Sequence, residues 1–300
     1  MTTTTRPVPD WPSYDGPGDL AAIEAVPLAD RDLPASVYEL LSRAGARWPD
    51  RPAVTLLPSA ARWAEPVGWT FAELLTRVHR VANALTGLGV GRRDAVAVLS
   101  PNTGEVLAAT LAAEAVAIAA PVNPGLTAQQ IEGLLRASGA RVLVAAGPEL
   151  NPAIWRMALT LARTLGLAAV LAVRPDGAGA AKPSLEQFDG LVVGYLEDVT
   201  RDAEPAGLLA PPPVGTDVAG YFHTGGSTGT PKIAVHTHAN EVAMAWTLAA
   251  CSGDEDLVLL AALPLFHVNA LLVTGLGPLF KGQRVVWAGP LGYRDPDLYP

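Results

Sequence analysis

Short apolar runs alternate with amphipathic segments along most of the chain, and this alternation predicts its fold. Five runs are typical of buried strands, at 53–57, 95–99, 118–122, 141–146 and 168–173. The segment 71–85 carries apolar residues at helical spacing, and it follows a capping box formed by Thr70 and Glu73. A second box, Thr127 with Gln130, predicts a short helix that ends near Gly139. Strands that alternate with helices predict an α/β fold with a largely parallel, buried sheet.

The composition of successive segments predicts how the chain is organised. Residues 1–35 are rich in Pro, Asp and Gly and are predicted to form an irregular arm, followed by a first α/β subdomain over 36–173. Residues 174–216 form a Pro/Gly/Ala-rich connector with a short insert near 184–196, and 217–300 begin a second α/β subdomain. In that last part, strands are predicted at 218–222, 233–237, 258–263 and 284–287, and a helix at 240–250.

Composition and charge narrow the function classes. Half of the residues are hydrophobic and only 17% are charged, so the chain can bury a large core and is not disordered. The net charge is -8 and there are only three lysines, which excludes a basic face for nucleic acid or anionic lipid. The lone Cys251 excludes an internal disulfide and a cysteine-rich zinc site, fits a reducing compartment, and is expected in the core.

One segment is long enough to span a bilayer, because 257–280 contains no Asp, Glu, Lys or Arg. Its internal prolines and glycines, among them Pro264, Gly275 and Pro278, would interrupt a membrane helix repeatedly. A buried strand, loop and helix is therefore predicted there. The N-terminal segment has no apolar run behind a basic start, so we expect no secretory signal and a cytoplasmic location.

The segment most informative about chemistry is YFHTGGSTGTPKIAVHTHAN at 221–240. It combines glycines, whose backbone amides can form a concave nest, with hydroxyl donors and a single ammonium. These residues are Gly225, Gly226, Gly229, Thr224, Ser227, Thr228, Thr230 and Lys232. Such a set suits a polyphosphate, although a flexible turn is the common alternative for a Gly/Ser/Thr run. The loop is not the familiar nucleotide-binding motif, because Pro231 precedes the lysine and Ile233 follows it.

This segment resembles the phosphate-binding loop of the AMP-forming acyl-CoA synthetase and adenylate-forming ligase superfamily, usually written YTSGTTGxPKGV. Residues 224–232 align with it without a gap, although Gly225 stands where the family has serine and Ile233 where it has glycine. The lead-in at 217–219 and the THAN sequence at 237–240 also resemble the family. Further similar segments occur in family order at 46–54, 69–85, 91–113, 120–145 and 263–286.

The resemblance implies a fold of layered sheets with helices, as in the large N-terminal domain of adenylate-forming enzymes. It also implies that this domain is incomplete at its C-terminal end. The family's later aromatic-Gly-x-Thr-Glu motif, its ribose-binding aspartate, its hinge and its C-terminal lid do not occur within residues 1–300. We therefore expect the chain to be a fragment.

The function implied by the resemblance is ATP-dependent activation of a carboxylic acid, fatty or aromatic, to an acyl adenylate and then to an acyl-CoA thioester. ATP, Mg²⁺ and coenzyme A would take part, together with the small-molecule acid. By resemblance, Lys232 and His267 are catalytic, and His267 and Asn269 line the substrate pocket. The phosphate-binding residues would be Thr224, Gly225, Gly226, Ser227, Thr228, Gly229 and Lys232. The alternative is a non-catalytic remnant that binds a nucleotide or a partner.

A metal site is a competing interpretation of the histidines. Four of the five histidines, His223, His236, His238 and His267, lie close together in sequence. If 236–238 is strand, His236 and His238 share a face, and the acidic residues at 254–256 would add oxygen ligands. The resemblance instead places His238 in a packing or capping position, so we predict no protein-held metal. For His267, a core histidine is the alternative.

Overall fold

The computed structural model describes residues 11–12, 14–224, 232–252 and 256–298. The strands are β1 (Pro52–Leu56), β2 (Val67–Thr70), β3 (Ala95–Leu99), β4 (Ile118–Pro121), β5 (Ala140–Ala146), β6 (Ala169–Val173), β7 (Val192–Tyr195), β8 (Val218–His223), β9 (Ile233–Thr237), β10 (Val258–Ala261) and β11 (Arg284–Trp287). The α-helices are α1 (Leu20–Glu24), α2 (Val37–Arg47), α3 (Phe71–Gly87), α4 (Gly104–Val116), α5 (Ala128–Ser138), α6 (Pro152–Leu165), α7 (Leu196–Val199), α8 (His238–Cys251), α9 (Val268–Ala270) and α10 (Gly277–Lys281).

The larger sheet has seven strands in the order β7-β6-β5-β3-β4-β8-β9. Every neighbouring pair is parallel except β8 with β9, which form an antiparallel hairpin at one edge. Strands covered on both faces need apolar residues at every position, and all five residues of β3 are buried. This explains why continuous apolar runs rather than alternating ones predicted the central strands.

The smaller sheet has four strands in the order β10-β11-β1-β2. β1 and β10 both pair with β11 in parallel, whereas β1 and β2 are antiparallel. Strand β2 is absent from the sequence prediction, because a four-residue strand with one buried position gives almost no apolar pattern. The predicted boundary at 174–216 does not separate the two sheets, since β8 joins β4 in the larger sheet and β11 joins β1 in the smaller one.

The connector and the arm contain more regular structure than their composition indicates. β7 and α7 lie inside the connector, near the insert predicted at 184–196. The arm predicted to be irregular includes α1 and packs on the second half of the chain, where Trp11 stacks on Trp246 of α8 at 6.2 Å between ring centroids. Arg31 lies over the same Trp246 ring at 4.8 Å, so aromatic contacts attach the arm to α8.

Side-chain caps define the helix starts that the sequence predicted. Thr70 and Glu73 form the expected reciprocal box at α3, and Thr127 with Gln130 does so at α5, which ends at the left-handed Gly139. A third box, Thr237 with Asn240, begins α8 directly after β9. Helix α4 is different, because twelve of its thirteen residues are buried and it has no polar face for a periodic pattern to reveal.

The uncharged segment 257–280 forms β10, then α9, a π-helical turn at Leu271–Leu276 and α10, which confirms the predicted order of strand, loop and helix. The expectation that the strand is buried is wrong, because β10 lies at the edge of the smaller sheet and only Ala261 is buried in it. Among the residues placed in the structure, none of the helices has the length and apolar character needed to cross a membrane. The prediction that Cys251 is a core residue is wrong. Cys251 is exposed, because it is the last residue of α8.

Candidate functional site

The candidate phosphate-binding loop connects the two strands of the edge hairpin. At its base, the Thr224 amide donates a hydrogen bond to the Lys232 carbonyl at 2.8 Å, and His223 pairs with Ile233 in the strand register. Thr224 and Lys232 both have exposed side chains. The predicted residues Gly225, Gly226, Ser227, Thr228 and Gly229 lie outside the described residues. The hairpin therefore fixes both ends of the loop and leaves the Lys232 ammonium open to a ligand.

Ile233, which stands where the related loops have glycine, is accommodated by packing. It is the first residue of β9 and contacts the apolar cluster that includes Leu134 and Leu135 of α5. This contact anchors the hairpin to the body of the larger sheet on the side of α5.

The parallel pairing of β4 and β8 determines where the loop opens. Parallel strands end at the same edge of a sheet, and ligands of open α/β sheets commonly bind outside those carboxyl ends. Asn123 follows β4, and its amide donates a hydrogen bond to Nε2 of His223, the last residue of β8, at 3.0 Å. His223 therefore joins the ends of two neighbouring strands beside Thr224.

His223 is held as a neutral imidazole. Burial lowers its pKa below the ordinary histidine value, and the nearby His267 lowers it further. Because Nε2 accepts the Asn123 hydrogen bond, the proton of the neutral ring lies on Nδ1. The sequence pattern indicated His223 only as a candidate metal ligand and gave no signal of its role in connecting two strand ends.

An aromatic contact brings His267 to the hairpin. The Phe266 ring stacks on His223 with 6.3 Å between centroids, and the His267 ring lies 4.4 Å from that of Phe266. His267 immediately precedes α9, and Asn269 lies within this helix. Both side chains are exposed, so His267 is not the core histidine of the alternative interpretation. The structure thus places His267 at the same end of the hairpin as Thr224.

The segment that carries His267 is held by Asn102, which the sequence analysis did not single out. The Asn102 side chain accepts a hydrogen bond from the Leu265 amide and donates one to the Leu263 carbonyl, both at 2.8 Å. Asn102 is only 6% exposed, so its two hydrogen bonds are protected from competition by water. The available signal was a polar residue soon after the buried run 95–99, where side chains at the carboxyl end of a strand face a site.

The structure does not support the histidine-based metal interpretation. His236 lies on β9, but His238 is the first residue of α8, because Thr237 ends the strand and caps the helix. The expectation that His236 and His238 share a strand face is therefore wrong. His238 is fully buried, its Nδ1 accepts a hydrogen bond from the Val37 amide at 3.3 Å, and burial lowers its pKa to about 4.

The acidic residues considered as oxygen ligands do not complete such a site either. Asp256 lies 3.2 Å from Arg51 in an ion pair, and residues 254 and 255 are not described. In the described ranges, no group of three or more His, Cys, Asp or Glu side chains could hold a metal ion.

A sequence model for AMP-binding enzymes matches residues 41–299, nearly the whole chain. The chain belongs to this family. A marinolic acid–CoA ligase from a Pseudoalteromonas species is 29% identical over 290 residues, which are 93% of this chain and 42% of the relative. A feruloyl-CoA synthase from an Amycolatopsis species is 34% identical over 223 residues, 72% of this chain and 38% of the relative. The chain thus spans less than half the length of these curated relatives.

Solved structures confirm the α/β architecture with layered sheets. ATP-bound MatB from Rhodopseudomonas palustris superimposes with a TM-score of 0.66 at 25% identity, over 84% of this chain and 45% of that one. The N-terminal domain of FACL13 from Mycobacterium tuberculosis gives a TM-score of 0.62 at 24% identity, over 84% of this chain and 57% of that one, which shows the shared fold alone. The family and the fold class predicted from the sequence are both confirmed.

Proposed function

We propose that this chain takes part in the ATP-dependent activation of a carboxylic acid, fatty or aromatic, to an acyl adenylate and then to an acyl-CoA thioester. The observation that carries the proposal is the placement of Thr224, Lys232 and His267 at one open end of the β8–β9 hairpin. The family match and the CoA ligases among the relatives support the same chemistry.

The reaction has two group transfers. In the first, a carboxylate oxygen forms a bond to the α-phosphorus of ATP while the bond from that phosphorus to the bridging oxygen breaks, and pyrophosphate leaves with the electron pair. In the second, the coenzyme A sulfur forms a bond to the acyl carbon, the thiol loses its proton, and AMP leaves. Both reactants of the first step are anions, so the protein must offset their repulsion and hold them in line.

Each site residue has a proposed role that follows from its position. Lys232 lies at the C-terminal end of the loop and supplies a positive charge to the phosphates. Thr224 lies at the N-terminal end, where the run of hydrogen-bond donors begins. His267, just before α9, would lie beside the α-phosphate and the acyl group. Asn269, within α9, would contact the acid. The undescribed Gly225, Gly226, Ser227, Thr228 and Gly229 would supply the remaining phosphate contacts.

Mg²⁺, when bound with ATP, would offset part of the negative charge of the phosphates. Among the described residues, no group of three or more His, Cys, Asp or Glu side chains could hold a metal ion. We therefore assign no protein ligand to this ion. We propose no contacts between the described residues and coenzyme A, whose thiol reacts after the adenylate has formed.

The proposal is tested by measuring binding of ATP to the 300-residue chain and by trapping acyl adenylate with hydroxylamine over a panel of short, medium, long and aromatic acids. Lys232→Ala should weaken ATP binding by about one to two decades, since a charge-assisted hydrogen bond contributes roughly 1.5–3 kcal/mol. Lys182→Ala is the matched control. That lysine pairs with Glu197 and Asp198 near β7, at the edge of the larger sheet opposite to the hairpin.

The possible outcomes separate the two functions considered. ATP binding that depends on Lys232, with hydroxamate formed from some acids, supports acid activation. ATP binding that depends on Lys232, without hydroxamate from any acid, supports the phosphate-binding role of the hairpin and shows that the chain by itself does not activate an acid. If ATP does not bind, or binds equally to the wild type and to Lys232→Ala, the proposed role of the hairpin is wrong.

A further inference from the structure

Two buried carboxyl groups lie beneath the hairpin, and the proposed reaction uses neither of them. Glu114 on α4 is 0% exposed and Glu241 on α8 is 1% exposed. None of their four carboxyl oxygens has a hydrogen-bond partner among the described residues. An ionised carboxylate without a donor is very costly in a protein interior, so this arrangement requires a chemical explanation.

Glu114 and Glu241 are neighbours in this core, because Glu241 is one of the groups that raise the pKa of Glu114. Two ionised carboxylates only accept hydrogen bonds, so they repel and neither can donate to the other. A single proton between them turns one group into a donor and the contact into a hydrogen bond. Burial raises the pKa of both groups, and for Glu114 the neighbouring Glu241 raises it further, so the protonated form is favoured.

The pair is connected to the hairpin through Glu241. Its Oε1 lies 3.4 Å from Nδ1 of His236 on β9, and His236 pairs with Gly220 of β8. A Cβ atom at Gly220 would lie 3.2 Å from the same Glu241 oxygen, so the carboxyl group presses against the backbone of β8. The His236 ring also contacts the ring of Phe222 at 4.9 Å. Glu241 therefore touches both strands of the hairpin.

We propose that Glu114 and Glu241 share one proton and together act as positioning residues, which hold the β8–β9 hairpin in the arrangement that binds the phosphates of ATP. The proposal rests on the proposed function of this hairpin. When the shared proton is lost, the two carboxylates repel, Glu241 moves relative to Gly220 and His236, and the affinity for ATP falls. The pair contacts no substrate, so its effect is transmitted through β8 and β9.

Other titratable and charged groups around the pair affect the direction of this response. His236 faces Glu241 from β9, and its protonated form would favour an ionised Glu241. His238 approaches from α8 and stays neutral under ordinary conditions, because its pKa is lowered to about 4. Arg92 and Asp217 lie beyond His238 and pair with each other at 3.8 Å. In Glu241, burial outweighs the opposing effect of His236, so protonation remains favoured.

The first test detects the proton directly by infrared spectroscopy of protein labelled with ¹³C in glutamate. The wild type should show a protonated carboxylic acid band that weakens in Glu114→Gln. Glu132→Gln, a surface glutamate paired with Arg136, is the matched control and should keep the band. An identical band in the wild type and in Glu114→Gln would contradict the shared proton.

The second test measures the dissociation constant of ATP as a function of pH, over the whole range in which the protein stays folded. For one linked proton, wild-type affinity should fall by up to about tenfold per pH unit above the titration of the pair. Glu114→Gln should bind like the wild type at the lower pH and lose this dependence, because its amide donates to Glu241 at every pH. Glu114→Leu, which has no donor, should bind at least tenfold more weakly.

Glu132→Gln corrects for the titration of ATP itself in the same experiment. Equal pH dependence in the wild type, Glu114→Gln and Glu132→Gln would overturn the positioning role, as would wild-type affinity in a folded Glu114→Leu. If the wild type binds no ATP at any pH, the proposed function of the hairpin fails instead. The infrared result is independent of that failure.

Discussion

The two ends of the seven-stranded sheet carry charged side chains in contrasting ways. At the β6–β7 end, Arg174 is 9% exposed and its donors are satisfied inside the protein. It pairs with Glu149 at 2.8 Å and with Glu197 at 3.2 Å, and it also donates to the carbonyls of Gly179 and Ala181. A cavity of about 710 Å³ lies beside this network.

At the β8–β9 end the charges are fewer and less satisfied. Lys232 and His267 are exposed, and Lys232 makes no side-chain ion pair within the described ranges. Beneath them, Glu114 and Glu241 lack hydrogen-bond donors in that same part of the chain. Neither cavity size nor the number of charges distinguishes the end at which we propose that phosphates bind. The β6–β7 end uses its charges to hold the chain together, whereas the β8–β9 end keeps polar groups available.

The largest expected effect is a loss of stability when the hydrogen-bond network of Arg174 is broken. Arg174→Met should destabilise the protein by about 3–5 kcal/mol, because it leaves Glu149 and two carbonyls without their buried donor. ATP affinity of the folded fraction should not change. Denaturant unfolding and ATP titration measure the two quantities. Arg201→Met is the control at the same end, since that arginine is 64% exposed and pairs only at the surface with Asp198. Equal destabilisation by both variants would contradict the comparison.

A second prediction concerns Asp176, which lies beside the same network and accepts a hydrogen bond from the Gly104 amide at 3.1 Å. Burial raises its pKa from 3.8 to about 7. The folded protein therefore binds a proton that the unfolded chain releases, and this contribution to stability is lost as the pH rises from about 4 to about 7. The shift corresponds to at most about 4 kcal/mol, reduced by the partial exposure of Asp176.

The measurement for Asp176 is the thermal midpoint as a function of pH. Wild type should lose stability relative to Asp176→Asn between about pH 4 and pH 7, with no further divergence above that range. Asp202→Asn, at an exposed position, serves as the control. A constant difference between the wild type and Asp176→Asn would show that the group does not titrate in this range.

At the β8–β9 end, Asn269→Leu should change which acid is preferred rather than how well ATP binds. An altered polar contact in a substrate pocket changes discrimination between substrates by about 1–3 kcal/mol. Hydroxamate formation across the acid panel gives the ranking, and ATP titration provides the internal control. An equal loss for every acid would favour a structural role of Asn269 in α9.

The smallest expected effects on stability come from substitutions in two capping boxes of the same type. Thr237→Ala at α8 and Thr127→Ala at α5 should each reduce stability by about 1 kcal/mol, because each removes one N-cap acceptor. Only Thr237→Ala should also weaken ATP binding, since Thr237 is the last residue of β9 in the hairpin. Identical ATP affinities in the two variants would show that the start of α8 does not position the loop.

Much of the fold could be predicted because its signals are local. The predicted strand at 95–99 matches β3 fully, and the helix predicted from Thr70 begins where expected and extends two residues further. Helix α4 and strand β2 carry no such signal, because one is buried on nearly all sides and the other is short and half covered. The wrong expectation for Cys251 has a related cause, since a helix end can leave the core within one turn.

The candidate site was predictable where one segment supplies it. The loop ends Thr224 and Lys232 are adjacent in the structure because the flanking runs form a hairpin. Asn102 was not predicted as a site residue. It holds the segment that carries His267 through hydrogen bonds to residues 263 and 265, which lie far along the chain. The connecting role of His223 was not predicted for the same reason, since its partner Asn123 follows a different strand.

The sequence by itself determined the apolar runs, the capping boxes and the donor-rich loop, because each depends on residues only a few positions apart. It also determined the family, because several such local motifs occur in the family's order along the chain. Tertiary structure alone decided that β8 lies beside β4, and thereby which side chains meet at the hairpin. It also decided that the acidic Glu114, near the C-terminal end of the apolar helix α4, is buried next to Glu241 with no hydrogen-bond donor among the described residues. A carboxyl group's protonation depends on the polar groups and water within a few ångströms, and strand order rather than sequence distance determines those neighbours.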